Sequence, residues 1–171
     1  SMKAAWDNIR AVDLLSSLEE VDAERIGVIG HSLGGHNAIF TAVFEPRLKV
    51  IVSSCGFSTM TKDDVPSWTG PRYMPRIASE FGNDAKRLPF DFPGLTASLA
   101  PRAVFISAAT KDDDFDLTGV QDCVRLAQPI FDLYKASAEL HAIYPDSPHD
   151  FPLAARQAAY EFIDRHLRSD P

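Results

Sequence analysis

The chain has 171 residues, of which 45% are hydrophobic and 24% charged, and its formal net charge is −7. This length fits one compact domain with a sizeable core. The acidic balance argues against a nucleic-acid groove or an anionic membrane surface as partner, and no apolar run is long enough to cross a bilayer.

The first two residues, Ser1 and Met2, are typical of an expression scar, so the predicted domain spans residues 3–171. The two cysteines, Cys55 and Cys123, are too few and too far apart in sequence for a disulfide framework or a zinc knuckle. We therefore expect both to be small buried hydrophobic residues.

Hydrophobic periodicity predicts helices that alternate with short apolar strands. In chain order, the predicted elements are a helix over 3–20, a strand over 25–30, a helix over 34–44, strands over 49–55 and 103–109, a helix over 118–136, a strand over 139–144 and a last helix from near 150. Thr118 is a candidate helix cap, and Pro129 predicts a kink or a split in its helix. This alternation predicts an α/β fold, with right-handed crossovers and a parallel sheet of about four strands flanked by helices.

Residues 57–100, between the second and third predicted strands, lack this regularity. The segment is rich in Pro, Gly, Trp, Tyr and Arg, and its periodicity is weak. A stretch of this length without a clear pattern is usually a lid or a binding loop, and its aromatic residues argue against disorder. We expect an irregular, lid-like insertion before the third strand.

The stretch "GHSLGGHN" (30–37) follows directly on the first apolar strand. A Gly-x-Ser-x-Gly sequence at a strand end is typical of a nucleophile elbow, a sharp turn that exposes the Ser32 hydroxyl. Gly30 and Gly34 lack a Cβ and would let the turn pack closely. The backbone N–H of Leu33 would point towards an oxyanion. The alternative is that Ser32 only caps the following helix.

Two later segments bring an acid and a histidine to the same edge of the predicted sheet. "TKDDDFD" (110–116) follows the third strand, and "DSPHDF" (146–151) follows the fourth. Because the carboxyl ends of parallel strands share one edge, these residues are expected to meet Ser32 there. His149 is the candidate general base, and a carboxylate from the aspartate run would orient it. The remaining histidines are interpreted as structural.

The aspartate run has a competing interpretation as a calcium-binding loop, since Asp112, Asp114 and Asp116 alternate. In such a loop the sixth position is glycine and the twelfth is glutamate. Here these positions are Leu117 and Cys123, which excludes the loop. No phosphate-cradling glycine loop with its lysine is present either, so the sequence predicts neither a metal nor another cofactor.

From the elbow to the end, the chain resembles the α/β-hydrolase superfamily, and most closely the dienelactone-hydrolase-like and prolyl-oligopeptidase-like serine esterases. The resemblance rests on "IGVIGHSLGGHNA", "PRAVFISAATKDDDFD" and "YPDSPHDFP", and in one branch on "TGPRYMPR" with "PFDFPGLTASLAPR". Such enzymes place the acid in a G-x-x-D sequence. With Ala109 at the glycine position, the resemblance implies Asp112 as the acid and Asp113 as the second choice.

The resemblance also implies several strands before the elbow strand, where this chain has a single helix. The chain is therefore expected to form the C-terminal half of the hydrolase fold, without the loop that supplies a second oxyanion donor. Loss of one such donor typically lowers turnover by about 10²–10³-fold. One side of strand 26–29 would be left without a partner, and we expect a second molecule to cover it in a homodimer.

The sequence and the resemblance together predict a serine hydrolase that cleaves small-molecule carboxylic esters, including acyl or carbohydrate esters, through an acyl-enzyme. Candidate substrate-binding residues are Trp68, Arg72, Tyr73, Arg76 and Phe115. Two alternatives remain open: a serine peptidase of the same superfamily, and a non-catalytic binding or assembly domain that keeps the hydrolase fold.

Overall fold

A four-stranded parallel sheet forms the centre of the molecule in the computed structural model, which describes residues 2–71 and 73–168. The strands are β1 (Ile26–His31), β2 (Leu48–Ser54), β3 (Ala103–Ser107) and β4 (Leu140–Ile143), and they lie side by side in sequence order. The helices are α1 (Met2–Ser16), α2 (Leu33–Phe44), α3 (Pro75–Phe81), α4 (Phe92–Ala97), α5 (Leu117–Leu133) and α6 (Leu153–Leu167). The predicted fold class is confirmed.

Helices cover both faces of the sheet because its central strands are apolar on both sides. Val50 and Phe105 pack with Phe162 of α6 on one face. On the other face, Ile51 joins the larger core, which includes residues of α1, α2, α4 and α5. Successive strands are added in one direction, and right-handed crossovers then place their connecting helices on the same face. The helix α6 follows the last strand and closes the opposite face.

The segment 57–100 is more ordered than the sequence indicates. It contains α3, α4 and three short 3₁₀ turns. Much of the larger core comes from this segment, through Phe57, Met60, Val65, Trp68, Ile77, Phe92 and Leu99. Burial of these large side chains ties the insertion to the sheet. Its action as a lid stays a prediction.

Two predicted helices differ from the structure. The first helix ends at Ser16 rather than at residue 20, and Leu18 beyond it is exposed. The helix α5 is a single element that contains Pro129. Its Ala127 and Phe131 are fully buried on either side of the proline. This packing offsets the hydrogen bond that proline cannot make, so the helix is not split.

The start of α5 is capped by Asp116 and not by the predicted Thr118. An Asp116 carboxylate oxygen accepts a hydrogen bond from the Gly119 backbone N–H at 2.9 Å. The Thr118 hydroxyl itself donates to Asp116. A carboxylate is a strong N-cap because it satisfies free helix donors, so one member of the aspartate run has a structural role.

Both cysteines are free and buried, as predicted. Burial raises the pKa of the Cys55 thiol to about 11 and also raises the pKa of Cys123. Both thiols are therefore protonated at neutral pH and inert as nucleophiles. None of the described helices is both long enough and apolar enough to span a lipid bilayer.

The strand β1 lies at one edge of the sheet and pairs with β2 only, within the described part of the chain. Ile29 on this strand is 43% exposed. A groove of about 340 Å³ runs beside the strand, between α1 and α2, and Val12, Leu15 and Val28 are among its lining residues. Polar side chains, Asn8, Asn37 and Thr41, line the groove as well. An exposed edge strand is a surface suited to pairing.

Candidate active site

Ser32 occupies a strained turn between the end of β1 and the start of α2. Its backbone angles are φ 55° and ψ −124°, a conformation that non-glycine residues rarely adopt. The Ser32 N–H donates to the Ser54 carbonyl at 2.8 Å, and its own carbonyl accepts from the His36 N–H at 3.0 Å. These bonds hold the turn and present the hydroxyl at the sheet edge.

The glycines that this turn requires are Gly30 and Gly35. A Cβ on Gly30 would lie 2.1 Å from the Gly34 carbonyl oxygen, and one on Gly35 would lie 2.8 Å from the Ser54 carbonyl oxygen. Around Gly34 the space is open. The close-packing role that the motif assigns to Gly34 is therefore wrong, and Gly35 has that role because it faces β2.

Ser32, His149 and Asp112 form one chain of hydrogen bonds. The Ser32 Oγ lies 2.8 Å from His149 Nε2. On the other side of the ring, Nδ1 lies 3.0 and 3.1 Å from the two carboxylate oxygens of Asp112. Because Asp112 accepts at Nδ1, the neutral ring carries its proton there and offers Nε2 as a base to the serine hydroxyl.

The Asp112 carboxylate is only 3% exposed and is fixed by its own loop. Its Oδ1 accepts from the backbone N–H groups of Asp114 at 2.9 Å and Phe115 at 3.1 Å. Asp113, the second choice for the acid, points to solvent. The Asp114 carboxylate is exposed and lies 3.6 Å from His149 Nδ1, so it adds negative charge beside the ring.

Backbone hydrogen bonds join the acid loop to the histidine loop. The Thr110 N–H donates to the Pro145 carbonyl at 2.9 Å, and the Lys111 N–H donates to the Ser147 carbonyl at 3.0 Å. These bonds continue the β3–β4 pairing beyond the strands. The separation between Asp112 and His149 is thereby set by the sheet and not by the side chains alone.

Aromatic rings surround His149. The His31 ring lies 5.0 Å from it between centroids, and Phe115 lies 5.9 Å away. Phe151 stacks on the far side of His31. Burial, followed by the positive charge of a protonated His149, lowers the pKa of His31. His31 is therefore an uncharged neighbour that restricts the movement of the His149 ring.

Leu33 is the first residue of α2, so its backbone N–H has no acceptor within the helix. The positive end of the helix dipole lies at the same place. The side chain of Leu33 is exposed and lines the cavity beside Ser32. An anion that forms next to Ser32 would meet this N–H and the helix terminus together.

A cavity of about 190 Å³ opens beside Ser32. The elbow, the segment 57–100 and the acid loop all contribute to its wall, through Ser32, Leu33, His36, Asp63, Ser67, Trp68, Tyr73, Asp114 and Phe115. The insertion supplies four of these residues, Asp63, Ser67, Trp68 and Tyr73. The cavity is therefore a ready pocket for a group bonded to a carbonyl that Ser32 could attack.

Three titratable groups on the cavity wall have strongly shifted pKa values. Burial, followed by the charge of Asp63, raises the pKa of the Tyr73 hydroxyl. Burial raises the pKa of Asp63 to about 6, although the Trp68 indole N–H acts in the opposite direction and lowers it. Burial lowers the pKa of His36 to about 3, although a contact with the Gly56 backbone acts in the opposite direction and raises it. His36 is therefore neutral at any working pH, and Asp63 changes charge near pH 6.

Two groups of three side chains within the described residues could offer ligands to a metal ion: Cys55 with Asp112 and His149, and Asp112 with Asp113 and Asp114. Both groups contain Asp112, which is already hydrogen-bonded to His149. The arrangement of Ser32, His149 and Asp112 accounts for this clustering without a metal, and we assign no metal role to either group.

The sequence profile of the prolyl oligopeptidase family matches residues 3–169. The chain belongs to the prolyl oligopeptidase family. Among curated proteins, it is 49% identical over 49 residues to a 2,6-dihydropseudooxynicotine hydrolase of Paenarthrobacter nicotinovorans, a match that covers 29% of this chain and 13% of that protein. It is 24% identical over 144 residues to 4-O-methyl-glucuronoyl methylesterase 1 of Sodiomyces alcalophilus, covering 72% of this chain and 29% of that protein.

The solved structure of a glucuronoyl esterase from Solibacter usitatus superposes on this prolyl oligopeptidase family member with a TM-score of 0.81 at 21% identity. The match covers 96% of this chain and 48% of that one. The chain thus spans about half of this structural neighbour and less than a third of the curated relatives. The structural likeness shows the α/β-hydrolase fold.

The candidate substrate-binding residues of this family member fall into three groups. Trp68, Tyr73 and Phe115 line the cavity. Arg76 is exposed, pairs with Glu80 at 3.5 Å and does not line the cavity. Its position on α3 leaves the side chain exposed, and its contact with substrate stays a prediction. Arg72 lies outside the described residues.

Sequence reasoning missed three polar residues of the cavity, His36, Asp63 and Ser67. His36 follows Ser32 by one helical turn on the buried face of α2, and this spacing is a signal that could have found it. Asp63 lies in a 3₁₀-rich part of the insertion, where no periodicity indicates which side chain turns inward.

Proposed function

We propose that the protein is a serine hydrolase that cleaves carboxylic esters, with Ser32 as nucleophile, His149 as general base and Asp112 as the orienting acid. The observation that carries this proposal is the unbroken chain of hydrogen bonds from Ser32 Oγ through His149 to Asp112. A serine hydroxyl is a weak nucleophile at neutral pH and needs a base within hydrogen-bond reach. His149 Nε2 meets that requirement.

In the first half of the reaction, His149 Nε2 takes the proton of Ser32 while Oγ forms a bond to the ester carbonyl carbon. The carbonyl π electrons move to oxygen and form a tetrahedral oxyanion beside the Leu33 N–H. When the intermediate collapses, the C–O bond to the leaving alcohol breaks and His149 returns its proton to that alcohol. Asp112 stabilises the charged imidazolium between these two steps.

In the second half, His149 takes a proton from water, and the water oxygen attacks the acyl-enzyme carbonyl. Collapse of this second intermediate breaks the bond to Ser32 Oγ and releases the carboxylic acid. The proton held by His149 returns to Ser32. One ester and one water are consumed, and one acid and one alcohol are formed.

The oxyanion donor that we assign among residues 2–71 and 73–168 is the Leu33 N–H. Acyl-transfer enzymes normally use two donors, and removal of one typically lowers turnover by about 10²–10³-fold. We therefore propose that this chain by itself is a slow hydrolase. Covalent capture of Ser32 is a more sensitive assay for it than turnover.

Among carboxylic esters, we propose carbohydrate esters over simple acyl esters and over peptide amides. The names of the relatives, a glucuronoyl methylesterase and a glucuronoyl esterase, support this choice. The composition of the cavity also supports it, because both aromatic rings and polar groups line one small space. An alkyl acyl chain would leave those polar groups unsatisfied.

The test is covalent labelling with a fluorophosphonate, followed by mass spectrometry of the labelled peptide. We expect one label, on Ser32, and none in Ser32→Ala. Ser67→Ala is a matched control because Ser67 is a second hydroxyl on the same cavity wall. Labelling that persists in Ser32→Ala, or no labelling of the folded wild type, would contradict the proposal and favour a non-catalytic binding domain with this fold.

We also propose that the chain forms a homodimer through β1. The support is physical: the strand pairs only with β2 in the described part of the chain, and Ile29 is exposed beside a groove whose lining includes Leu15 and Val28. Two copies of the strand 26–29, related by a two-fold axis, would satisfy their free backbone groups and bury both grooves.

Light scattering after gel filtration tests the dimer. We expect a dimer for the wild type and a monomer for Ile29→Lys, since a buried lysine ammonium would face its own copy near the two-fold axis. Leu133→Lys is the matched control, because Leu133 is an exposed leucine on α5. A monomeric wild type would overturn the dimer and leave the hydrolase proposal untouched.

A further inference from the structure

The cavity wall carries buried polar atoms for which the described residues offer no hydrogen-bond partner of normal geometry. The Trp68 indole N–H lies near enough to the Asp63 carboxylate to lower its pKa, but the two do not form such a bond. Asp63 Oδ2, Trp68 Nε1 and both ring nitrogens of His36 are buried, and none makes a hydrogen bond of normal geometry to a described residue. Trp68 is 4% exposed and His36 is fully buried. Native proteins rarely leave such groups unsatisfied, so each one needs an explanation.

These groups differ in what they offer to a ligand. The Asp63 carboxylate accepts hydrogen bonds, the indole N–H of Trp68 donates, and a neutral imidazole does one of each. An alkyl group would satisfy none of them. A cation would satisfy Asp63 but could not accept from the Trp68 N–H. A hydroxyl group both donates and accepts, and two neighbouring hydroxyls would satisfy all three residues.

Aromatic rings also line the cavity. The ring of Trp68 stacks on that of Tyr73, with 5.6 Å between the ring centroids, and the centroid of the Phe115 ring lies 5.9 Å from that of Trp68. The volume of about 190 Å³ lies below the roughly 300–1,000 Å³ of drug-sized sites. Such a space takes one ring with apolar C–H faces and polar edges.

We infer that Asp63, Trp68 and His36 form a subsite for the hydroxyl groups of a sugar-like ring next to the scissile ester bond. This inference rests on the proposed ester hydrolase and assigns its selectivity to the insertion. Asp63 accepts from one hydroxyl, and Trp68 donates to the oxygen of a hydroxyl. His36, one helical turn after Ser32, hydrogen-bonds to a hydroxyl at the floor of the cavity.

The kinetic test compares the methyl ester of a uronic acid with methyl cyclohexanecarboxylate, which has a six-membered ring without hydroxyls. We expect the wild type to prefer the hydroxylated ester. Trp68→Phe keeps a ring and removes the N–H, and Asp63→Asn keeps the shape and removes the charge. Each should lower kcat/KM for the hydroxylated ester by about 10- to 100-fold. For methyl cyclohexanecarboxylate, kcat/KM should stay within about twofold of the wild-type value.

Asp64→Asn is the matched control, because Asp64 is the exposed neighbouring carboxylate and does not line the cavity. Its selectivity should stay within about twofold of wild type. An acetylated sugar forms a second substrate arm, in which the ring lies on the alcohol side of the ester. The arm that loses its rate in Trp68→Phe identifies the side of the ester that the subsite holds.

Calorimetric binding of the same two methyl esters to Ser32→Ala separates the failures. Tighter binding of the hydroxylated ester, weakened by Asp63→Asn in the same background, would support the subsite. If this binding is found but the wild type hydrolyses no ester, the subsite stands and only the proposed hydrolase function is contradicted. Equal binding of the two esters overturns the subsite. Preference for a choline ester that depends on Asp63 also overturns it, in favour of a cation site.

Discussion

Two groups of residues meet at the pocket: the first wall is Ser32 with His149 and Asp112 hydrogen-bonded behind it, and the second wall is Asp63 and Trp68 of the insertion. On the first wall every polar side-chain atom of the proposed reaction has a partner within 3.1 Å. On the second wall, Asp63 Oδ2 and the indole nitrogen of Trp68 are buried without one. The first wall is complete in the free protein, whereas the second keeps unsatisfied groups that the hydroxyls of the proposed ligand would pair with.

This difference follows from what each wall has to do. Reacting atoms must be held in position before substrate arrives, because misplacement lowers the rate steeply. Groups that select a substrate gain selectivity when only the correct ligand satisfies them, since a wrong ligand leaves them buried and unpaired. Changes on the first wall are therefore expected to remove turnover, and changes on the second to alter preference.

The largest effect is expected from Asp112→Asn. An amide at this position no longer holds the reactive tautomer of His149, and we expect kcat/KM to fall by about 10⁴-fold. Asp113→Asn is the control, because Asp113 is the exposed neighbour in the same run. Steady-state kinetics on an activated ester measures both variants. A larger loss in Asp113→Asn would show that the acid has been assigned to the wrong residue.

The second-largest effect is expected in the backbone turn that carries Ser32. In Gly30→Ala the new Cβ would lie 2.1 Å from the Gly34 carbonyl oxygen, and we expect the free energy of unfolding to drop by about 3 kcal/mol or more. Gly34→Ala adds a methyl group into open space at the start of α2, and we expect a gain of up to about 1 kcal/mol. Urea unfolding of both variants measures the difference. Equal stabilities would contradict the close packing of the elbow.

The smallest effect concerns pH and the second wall. The pKa of Asp63 is raised to about 6, so the folded protein holds this proton more tightly than the unfolded chain does. Its contribution to stability is complete below pH about 4 and is lost as the pH rises through about 6. With solvent screening at this partly exposed site, we expect the change to be about 1 kcal/mol.

Comparison of wild type with Asp63→Asn measures this contribution. The difference between their unfolding free energies should decrease from pH 4 to pH 7, because the asparagine does not titrate. A difference that stays constant across this range would mean that Asp63 is as well solvated as an ordinary surface carboxyl. The burial of Asp63 in the second wall would then be wrong.

The first wall was predictable from the sequence because each of its side chains follows an apolar strand. Three strand ends meet at one edge of a parallel sheet, so their order in the chain was enough to place Ser32, His149 and the aspartate run together. The identity of the acid needed the resemblance to G-x-x-D sequences, and the structure places Asp112 beside His149.

The second wall was not predictable in the same way. Hydrophobic periodicity reports which face of a helix or strand is buried, and the segment 57–100 consists of elements too short to show one. Trp68 and Tyr73 were found by their residue type alone. The exposure of Arg76 and the burial of Asp63 depend on how the short turns pack against α2 and α5.

The sequence by itself determined the alternation of strands and helices, the elbow at Ser32 and the pairing of an acid with His149, because these depend on local pattern and on the shared edge of a parallel sheet. Only the tertiary structure decided that Gly35 and not Gly34 must lack a side chain, that Asp116 caps α5, and that His36 and Asp63 face the cavity. Each of these depends on contacts between segments distant in the chain, which no local pattern encodes.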